Sequence, residues 1–275
     1  MIDLNHSRNL AARPLARLNS RTKQIAKIKW PLLFPAALCS LFAALNPVSA
    51  QTWTTTSAPN LPWCSIASSA DGSKLVAVPF RTADLTGPDK IISPGQIYTS
   101  ANSGATWQLT SPPGNDWRCV ASSADGSVLL AGALDSFSDT FFLQQGSVWV
   151  STNSGNTWMP AGLPADSWWS VAASANGRKL VAGGSIDDSF PNGILCTSTN
   201  SGVTWTTTMF SGLIFNPRNI ACSADGNKLA VIDSNNSVIY TSANFGLTWT
   251  LSGAPPNGWS AIASSAHGNK LAAVA

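Results

Sequence analysis

An eight-residue phrase, Ser-x-Asn-x-Gly-x-Thr-Trp, occurs four times, at residues 100–107, 151–158, 198–205 and 242–249. No other feature limits the fold as strongly, because a phrase repeated in register implies one structural unit repeated in space. Its first glycines, Gly104, Gly155, Gly202 and Gly246, stand where a tight turn needs positive φ, which a residue without Cβ adopts freely. The asparagine two residues earlier carries a short amide that bonds backbone N–H groups across a turn. Thr and Trp fit the pleated, half-buried surface of a strand that opens there. Apolar triplets precede the copies: Ile97-Tyr98-Thr99, Val148-Trp149-Val150, Leu195-Cys196-Thr197 and Ile239-Tyr240-Thr241. Each copy reads as strand, structured turn, strand.

A second signature alternates with the first. It opens at Trp63 as Trp-Cys-Ser-Ile-Ala-Ser-Ser-Ala-Asp-Gly-Ser-Lys-Leu-Val-Ala-Val and returns from Trp117, Trp168, Pro217 and Trp259. Asp71-Gly72, Asp125-Gly126, Asn176-Gly177 and Asp225-Gly226 are hairpin signals between two short strands, replaced by His267-Gly268 in the last copy. Two hairpins make a unit of four strands. Trp53, Trp107, Trp158, Trp205 and Trp249 lie 54, 51, 47 and 44 residues apart, which is the period of such units. A lone four-stranded sheet cannot bury both faces, so the units must stack around an axis. The expected fold is all-β: a β-propeller of four-stranded antiparallel blades, about five units with an incomplete last blade.

The Ser-x-Asn-x-Gly-x-Thr-Trp copies resemble the Asp-box, or BNR, repeat of sialidase-type propellers over the whole chain after about residue 51. The family places Asp at the third position, where Asn102, Asn153, Asn200 and Asn244 stand here. The resemblance implies a propeller and makes each box a structural hairpin away from any catalytic pocket. It selects no single function, since the family includes sialidases, other glycosidases, sorting receptors, photosystem assembly factors and secreted proteins.

Residues 1–50 differ from the rest. They hold seven of the chain's 16 basic residues and one of its 13 acidic ones, then an apolar run over 30–44, and end on Asn46-Pro47-Val48-Ser49-Ala50. This is the pattern of a secretory signal peptide, with cleavage expected after Ala50. The basic segment is long for a signal, so a retained anchor is the other reading; Pro31, Pro35 and Pro47 oppose a regular spanning helix. Residues 51–275 are then the repeat domain, expected in the periplasm, outside the cell or at its surface, with no stable membrane insertion after cleavage. Nine basic and twelve acidic residues remain there, a net of −3, so the +3 of the whole chain comes from the leader. Nucleic acid is therefore not an expected partner.

Strand pairs open five times, but only four boxes follow. Residues 51–57 are expected to supply the last strand of a unit. Either the ring is five-bladed with a thin closing blade, or the chain is a piece of a longer array. Cys64, Cys119, Cys196 and Cys222 permit disulfides in an exported chain, with buried free thiols as the alternative. Cys64 and Cys119 stand one residue out of register in equivalent strands, a slip expected to point them to opposite faces. No Cys/His spacing suggests a metal site, and neither Asp135 with Asp139 nor Asp187 with Asp188 follows a calcium-loop pattern. No cofactor is expected.

Strand order puts the Asp-Gly turns and the boxes on one face of the wheel and the other connections on the opposite face. The connections at 79–96, 133–147, 183–193 and 232–237 vary most, and variable loops on a rigid scaffold are the expected place for binding. This loop face gathers Trp63, Trp117, Trp168, Trp169 and Trp259 near the starts of first strands, together with nine of the remaining acids. Flat rings stack on sugars and peptides, and carboxylates accept hydrogen bonds. Those tryptophans, with Asp135, Asp187 and Asp188, are the candidate ligand-binding residues; packing between sheets is the competing role for the tryptophans. No catalytic residue is assigned.

For a sialidase, the resemblance implies three Arg on the substrate carboxylate, a Tyr nucleophile, a Glu partner and an Asp acid/base. Arg81, Arg118 and Arg218 fall on the loop face, but the chain contains no Glu. A Tyr without its carboxylate partner is a weak nucleophile, so sialidase activity is not expected. The expected function is an exported, non-catalytic binding or scaffolding propeller with a carbohydrate or protein ligand. One alternative is a glycoside hydrolase pairing Asp135 with Asp187 or Asp188, which needs the carboxylates ~5–9 Å apart. Another is an assembly factor that docks a partner protein on one face.

Overall fold

Each Asp-Gly hairpin and the box after it fold into one antiparallel sheet. The computed structural model describes residues 55–80, 82–84, 91–93, 95–110, 112, 114–134, 146–164, 167–185, 193–209 and 215–275; for 82–84, 91–93 and 209 it describes the backbone. The first unit runs β1 (Trp63–Ser68), β2 (Leu75–Pro79), β3 (Thr82–Asp84), β4 (Ile91–Ser93), β5 (Tyr98–Ser100) and β6 (Gln108–Leu109). Its sheet has the order β1-β2-β5-β6, and β3 pairs with β4 as a separate hairpin inside the long connection.

Three more four-stranded sheets follow in simple up-and-down order. They are β7 (Asp116–Ser122), β8 (Leu129–Leu134), β9 (Val148–Ser151) and β10 (Met159–Pro160), then β11 (Ser167–Ala173), β12 (Leu180–Ser185), β13 (Gly193–Ser198) and β14 (Thr206–Met209), then β15 (Pro217–Cys222), β16 (Leu229–Asp233), β17 (Val238–Ser242) and β18 (Thr250–Leu251). A fifth sheet pairs β19 (Ala261–Ser264) with β20 (Leu271–Val274). Thr55 to Ser57 pair with no strand, and 51–54 lie outside the described residues.

Both turns are held by a buried serine. In the second hairpin, Ser123 Oγ donates to Asp125 Oδ1 (2.6 Å) and accepts from Val128 N (3.0 Å), while Asp125 Oδ1 accepts from Ser127 N (3.0 Å). In the second box, Ser151 Oγ donates to Asn153 Oδ1 (3.0 Å) and accepts from Gly155 N (2.9 Å). Asn153 Oδ1 also accepts from Thr157 N (2.9 Å), the bond across the turn that the asparagine was expected to make. The box glycines have φ of 84–87°, as a tight turn requires. The box tryptophans do not open a strand: each lies in the turn's exit, and the fourth strand begins one residue later.

The first strands β1, β7, β11, β15 and β19 pack on one another in succession, whereas the fourth strands pack chiefly on the third strand of their own sheet. First strands therefore ring the axis and fourth strands form the rim. Between successive sheets lie four apolar cores. One joins Val76, Val78 and Ile97 to Trp117, Leu129 and Ala131, and the next joins Leu130, Val148 and Val150 to Trp168, Leu180 and Ala182. In the fourth unit Pro217 stands where others have Trp, and the buried Phe215 fills that space.

Candidate functional site

Near its start each of the four described full sheets carries one extra residue in its first strand. The pairing register shifts between Trp63 and Ser65, Trp117 and Cys119, Trp168 and Ser170, and Pro217 and Asn219. Such bulges re-aim side chains where a strand meets a site. The residues at the bulges are Cys64, Arg118, Trp169 and Arg218. They lie at the strand ends remote from the hairpins, and the hairpins and boxes share the opposite face, where Ser103, Ser154, Ser201 and Phe245 N–H groups bond the carbonyls of Ser73, Ser127, Arg178 and Asn227. The bulges thus ring the axial mouth of the loop face.

Each arginine of this ring reaches back onto an aromatic ring of the preceding unit. The Arg118 guanidinium lies 4.9 Å from the Phe80 centroid, and that of Arg218 lies 4.0 Å from Trp169. A cation over a π-face is attracted by the ring quadrupole, which orients the guanidinium without neutralising it. Among the described residues neither guanidinium meets a carboxylate. Burial and then the Arg118 charge lower the pKa of Arg218, so the two cations repel each other in a partly dry place. Burial pushes Cys64 up to about 11, with the Arg118 charge pulling it down and Asp116 pushing it up.

The tryptophans expected at this mouth take different places. Trp117 and Trp168 are fully buried between sheets and present no surface to a ligand. Trp63 and Trp259 are half-buried, their indole N–H groups donating to Pro59 and Pro255 carbonyls. Trp169 alone of the five stands at a bulge, with its ring under Arg218. Asp135, Asp187, Asp188 and Arg81 lie outside the described residues. Asp233, in the 232–237 connection of the loop face, is fully buried: it accepts from Asn216 N (3.0 Å), Asn235 N (3.1 Å) and Asn236 Nδ2 (2.6 Å). Sequence reasoning did not single out the Arg118–Phe80 and Arg218–Trp169 stacks, and no local signal marks them.

None of Cys64, Cys119, Cys196 and Cys222 is in a disulfide. Cys64 and Cys119 point the same way, contrary to the expectation of opposite faces. Cys64 Sγ faces the Val78 and Trp117 carbonyls, and Cys119 Sγ the equivalent Gly132 and Trp168 carbonyls. The bulge absorbs the one-residue slip, because its two residues oppose a single partner residue.

Among the described residues no helix is long and apolar enough to cross a membrane, and no three His, Cys, Asp or Glu residues cluster as a metal site would need. No family model and no curated protein matches the sequence. Solved structures do match in shape. The GH74 xyloglucanase from Xanthomonas campestris gives a TM-score of 0.53 at 16% identity, over 74% of this chain and 33% of that one. An ancestral GH74 enzyme gives 0.54 at 20%, over 76% and 26%. A chain of the nidogen/laminin complex gives 0.53 at 13%, over 76% and 70%. The chain folds as a β-propeller. It spans a third or less of the two GH74 enzymes, and likeness at these identities extends to fold, not to activity.

Proposed function

We propose that this propeller is an exported, non-catalytic binding or scaffolding module of the Asp-box kind. Its axial mouth holds an anionic group of a peptide or an acidic sugar on Arg118 and Arg218. The observation that carries this reading is the pair of stacked, mutually repelling guanidiniums with no carboxylate partner among the described residues. An arriving carboxylate relieves that repulsion and accepts charge-assisted hydrogen bonds from planar donors already oriented by the rings. The exposed Phe80 ring and the Trp169 ring supply flat apolar surface beside the charge. The four boxes support the Asp-box assignment, and the leader-like residues 1–50 support export.

The test is an array of acidic and neutral oligosaccharides and of peptides with free carboxylates, run beside a hydrolysis screen on chromogenic glycosides. Binding is expected for acidic members only, weakening with added salt. Arg118→Ala and Arg218→Ala are each expected to weaken it about tenfold or more. Equal binding of neutral ligands, or variants that bind as well as the parent, would refute the assignment. Turnover lost on Asp135→Asn or Asp187→Asn would move the function to the hydrolase alternative.

A further inference from the structure

The turns of the hairpin face are tied into one surface. Ala70 N–H donates to the Ala124 carbonyl, Ala124 N–H to that of Ala175 and Ala175 N–H to that of Ala224, at 2.7–2.8 Å. Each box hangs on the hairpin of its own unit through the N–H of Ser103, Ser154, Ser201 or Phe245. The same bonds recur in each unit, so equivalent residues of successive turns stand at equivalent heights on this face.

Charge and apolarity are unevenly spread over it. The first two hairpins carry Asp71, Lys74 and Asp125, whereas the third and fourth carry Arg178, Lys179, Lys228 and Asp225. Asp225 is engaged within its own turn, where it accepts from Ser223 Oγ, Asn227 N and Asn227 Nδ2. The sixth box residue is exposed in all four copies, so its exposure belongs to the turn and not to a neighbouring unit. It is Ala105 and Asn156 in the first two boxes, but Val203 and Leu247 in the next two, 79% and 84% exposed. The fourth box also places Phe245 where the other copies have serine, at a φ of 57° that bulky residues rarely adopt, with Lys179 Nζ 5.0 Å from its ring centroid. Basic and exposed apolar side chains thus coincide on one half of the face. By residue order, the connections of the opposite face carry nine of the repeat domain's twelve acids.

We infer that this half of the hairpin face docks on an anionic lipid surface. Arg178, Lys179 and Lys228 meet the headgroup phosphates, and Val203 and Leu247 reach the boundary between headgroups and acyl chains. Charge complementarity commits the occupant to an anion. Apolar side chains at the tips of level turns suit a plane, whereas a peptide segment is gripped along a strand edge or in a groove. The acid-rich opposite face then points away from the lipid, so the field of the whole molecule favours the same orientation. The contact is peripheral, since turn side chains enter the surface and no strand crosses it. The axial mouth is left facing outward, and the inference is independent of its ligand.

Flotation of the full chain with vesicles of equal parts phosphatidylglycerol and phosphatidylcholine, beside vesicles of phosphatidylcholine alone, gives the first test. Association is expected with the anionic vesicles only, falling as salt is added. Residues 1–50 are themselves basic, so the contact is also read site by site. In a Cys39→Ser background the other native thiols are wholly or partly buried, and an environment-sensitive dye is attached through Val203→Cys, Leu247→Cys or Asn235→Cys. All three change exposed side chains, and circular dichroism should show them folded. Dyes at 203 and 247 are expected to brighten and shift to the blue on anionic vesicles, and the dye at 235, on the loop face, to stay unchanged. Adding Arg178→Glu to the Leu247→Cys protein is expected to raise the lipid concentration for half-response about tenfold or more. Silent dyes at 203 and 247, an equal response at 235, or a titration unmoved by Arg178→Glu would overturn the inference. So would a dye at 247 that answers to soluble polyglutamate and not to vesicles, which would assign the surface to an acidic protein instead.

Discussion

Asp71, Asp125 and Asp225 are solvent-facing, yet each is held down at about 2, first by the hydroxyl of the serine two residues before it. An ordinary aspartate titrates near ~3.9, so between about pH 4 and 2 the unfolded chain binds more protons than the folded one. The stability these groups supply is therefore complete above about pH 4 and lost as pH falls through 2. Asn176 makes the same bonds, accepting from Ser174 Oγ (2.8 Å) and Arg178 N (3.0 Å) without a titrating group. Replacing all three with Asn is expected to flatten the acid limb of melting temperature against pH, measured from pH 6 to 2. Hairpin glycines differ in the same local way. A Cβ on Gly177 would stand 2.6 Å from Val128 Cβ, whereas one on Gly72 meets nothing within 4 Å; both have positive φ. Gly72→Ala should cost about 1–2 kcal/mol from strain alone, and Gly177→Ala roughly 1–3 kcal/mol more from overpacking, as read by urea denaturation.

The box works as an element because one amide satisfies both ends of its turn. Asn153 Nδ2 donates to Thr157 Oγ1 (2.8 Å) while its Oδ1 accepts from the Thr157 N–H. An aspartate would keep the acceptor, and its second oxygen would accept the threonine proton. Asn153→Asp should therefore change stability by no more than about 0.5 kcal/mol. Asn153→Leu should cost about 2 kcal/mol or more by orphaning the turn's donors. The residues before the box glycines, Ser103, Ser154, Ser201 and Phe245, also adopt φ of 56–59°, so the serine and asparagine bonds hold two successive left-handed residues rather than one. The inner strands protect their thiols in a comparable way. Burial pushes Cys119 up to about 12 and Cys222 up to about 11. A thiolate is the reactive form, so labelling at pH 8 should be slow until the chain is unfolded.

At the scale of the whole molecule, stability is shared between neighbours, as in any stack of repeats. Trp168 fills the core between the second and third sheets, so Trp168→Ala should cost about 3–5 kcal/mol. Trp259, half-buried beside a two-stranded sheet, should cost less in the same calorimetric comparison. Amides of β19 and β20 should exchange with solvent before those of β11 and β12, because one face of the fifth sheet is uncovered.

Much of this was legible from residue order. Asp-Gly and Ser-x-Asn-x-Gly-x-Thr-Trp are local devices whose bonds close within a few residues, so their recurrence announces sheets, their strand number and their common face. The bulges leave no such trace. An inserted residue shifts register only relative to the strand across from it, which is why Cys64 and Cys119 were assigned to opposite faces. The depth of Trp117 and Trp168, set against the half-exposed Trp63, depends on whether a preceding sheet is present, while all three open equivalent first strands. Arg118 and Arg218 meet their rings across unit boundaries some forty to fifty residues apart along the chain. Short-range hydrogen bonding thus dictated the blades from the sequence itself, while the mouth and the uncovered faces arose from how separate sheets came to lie against each other.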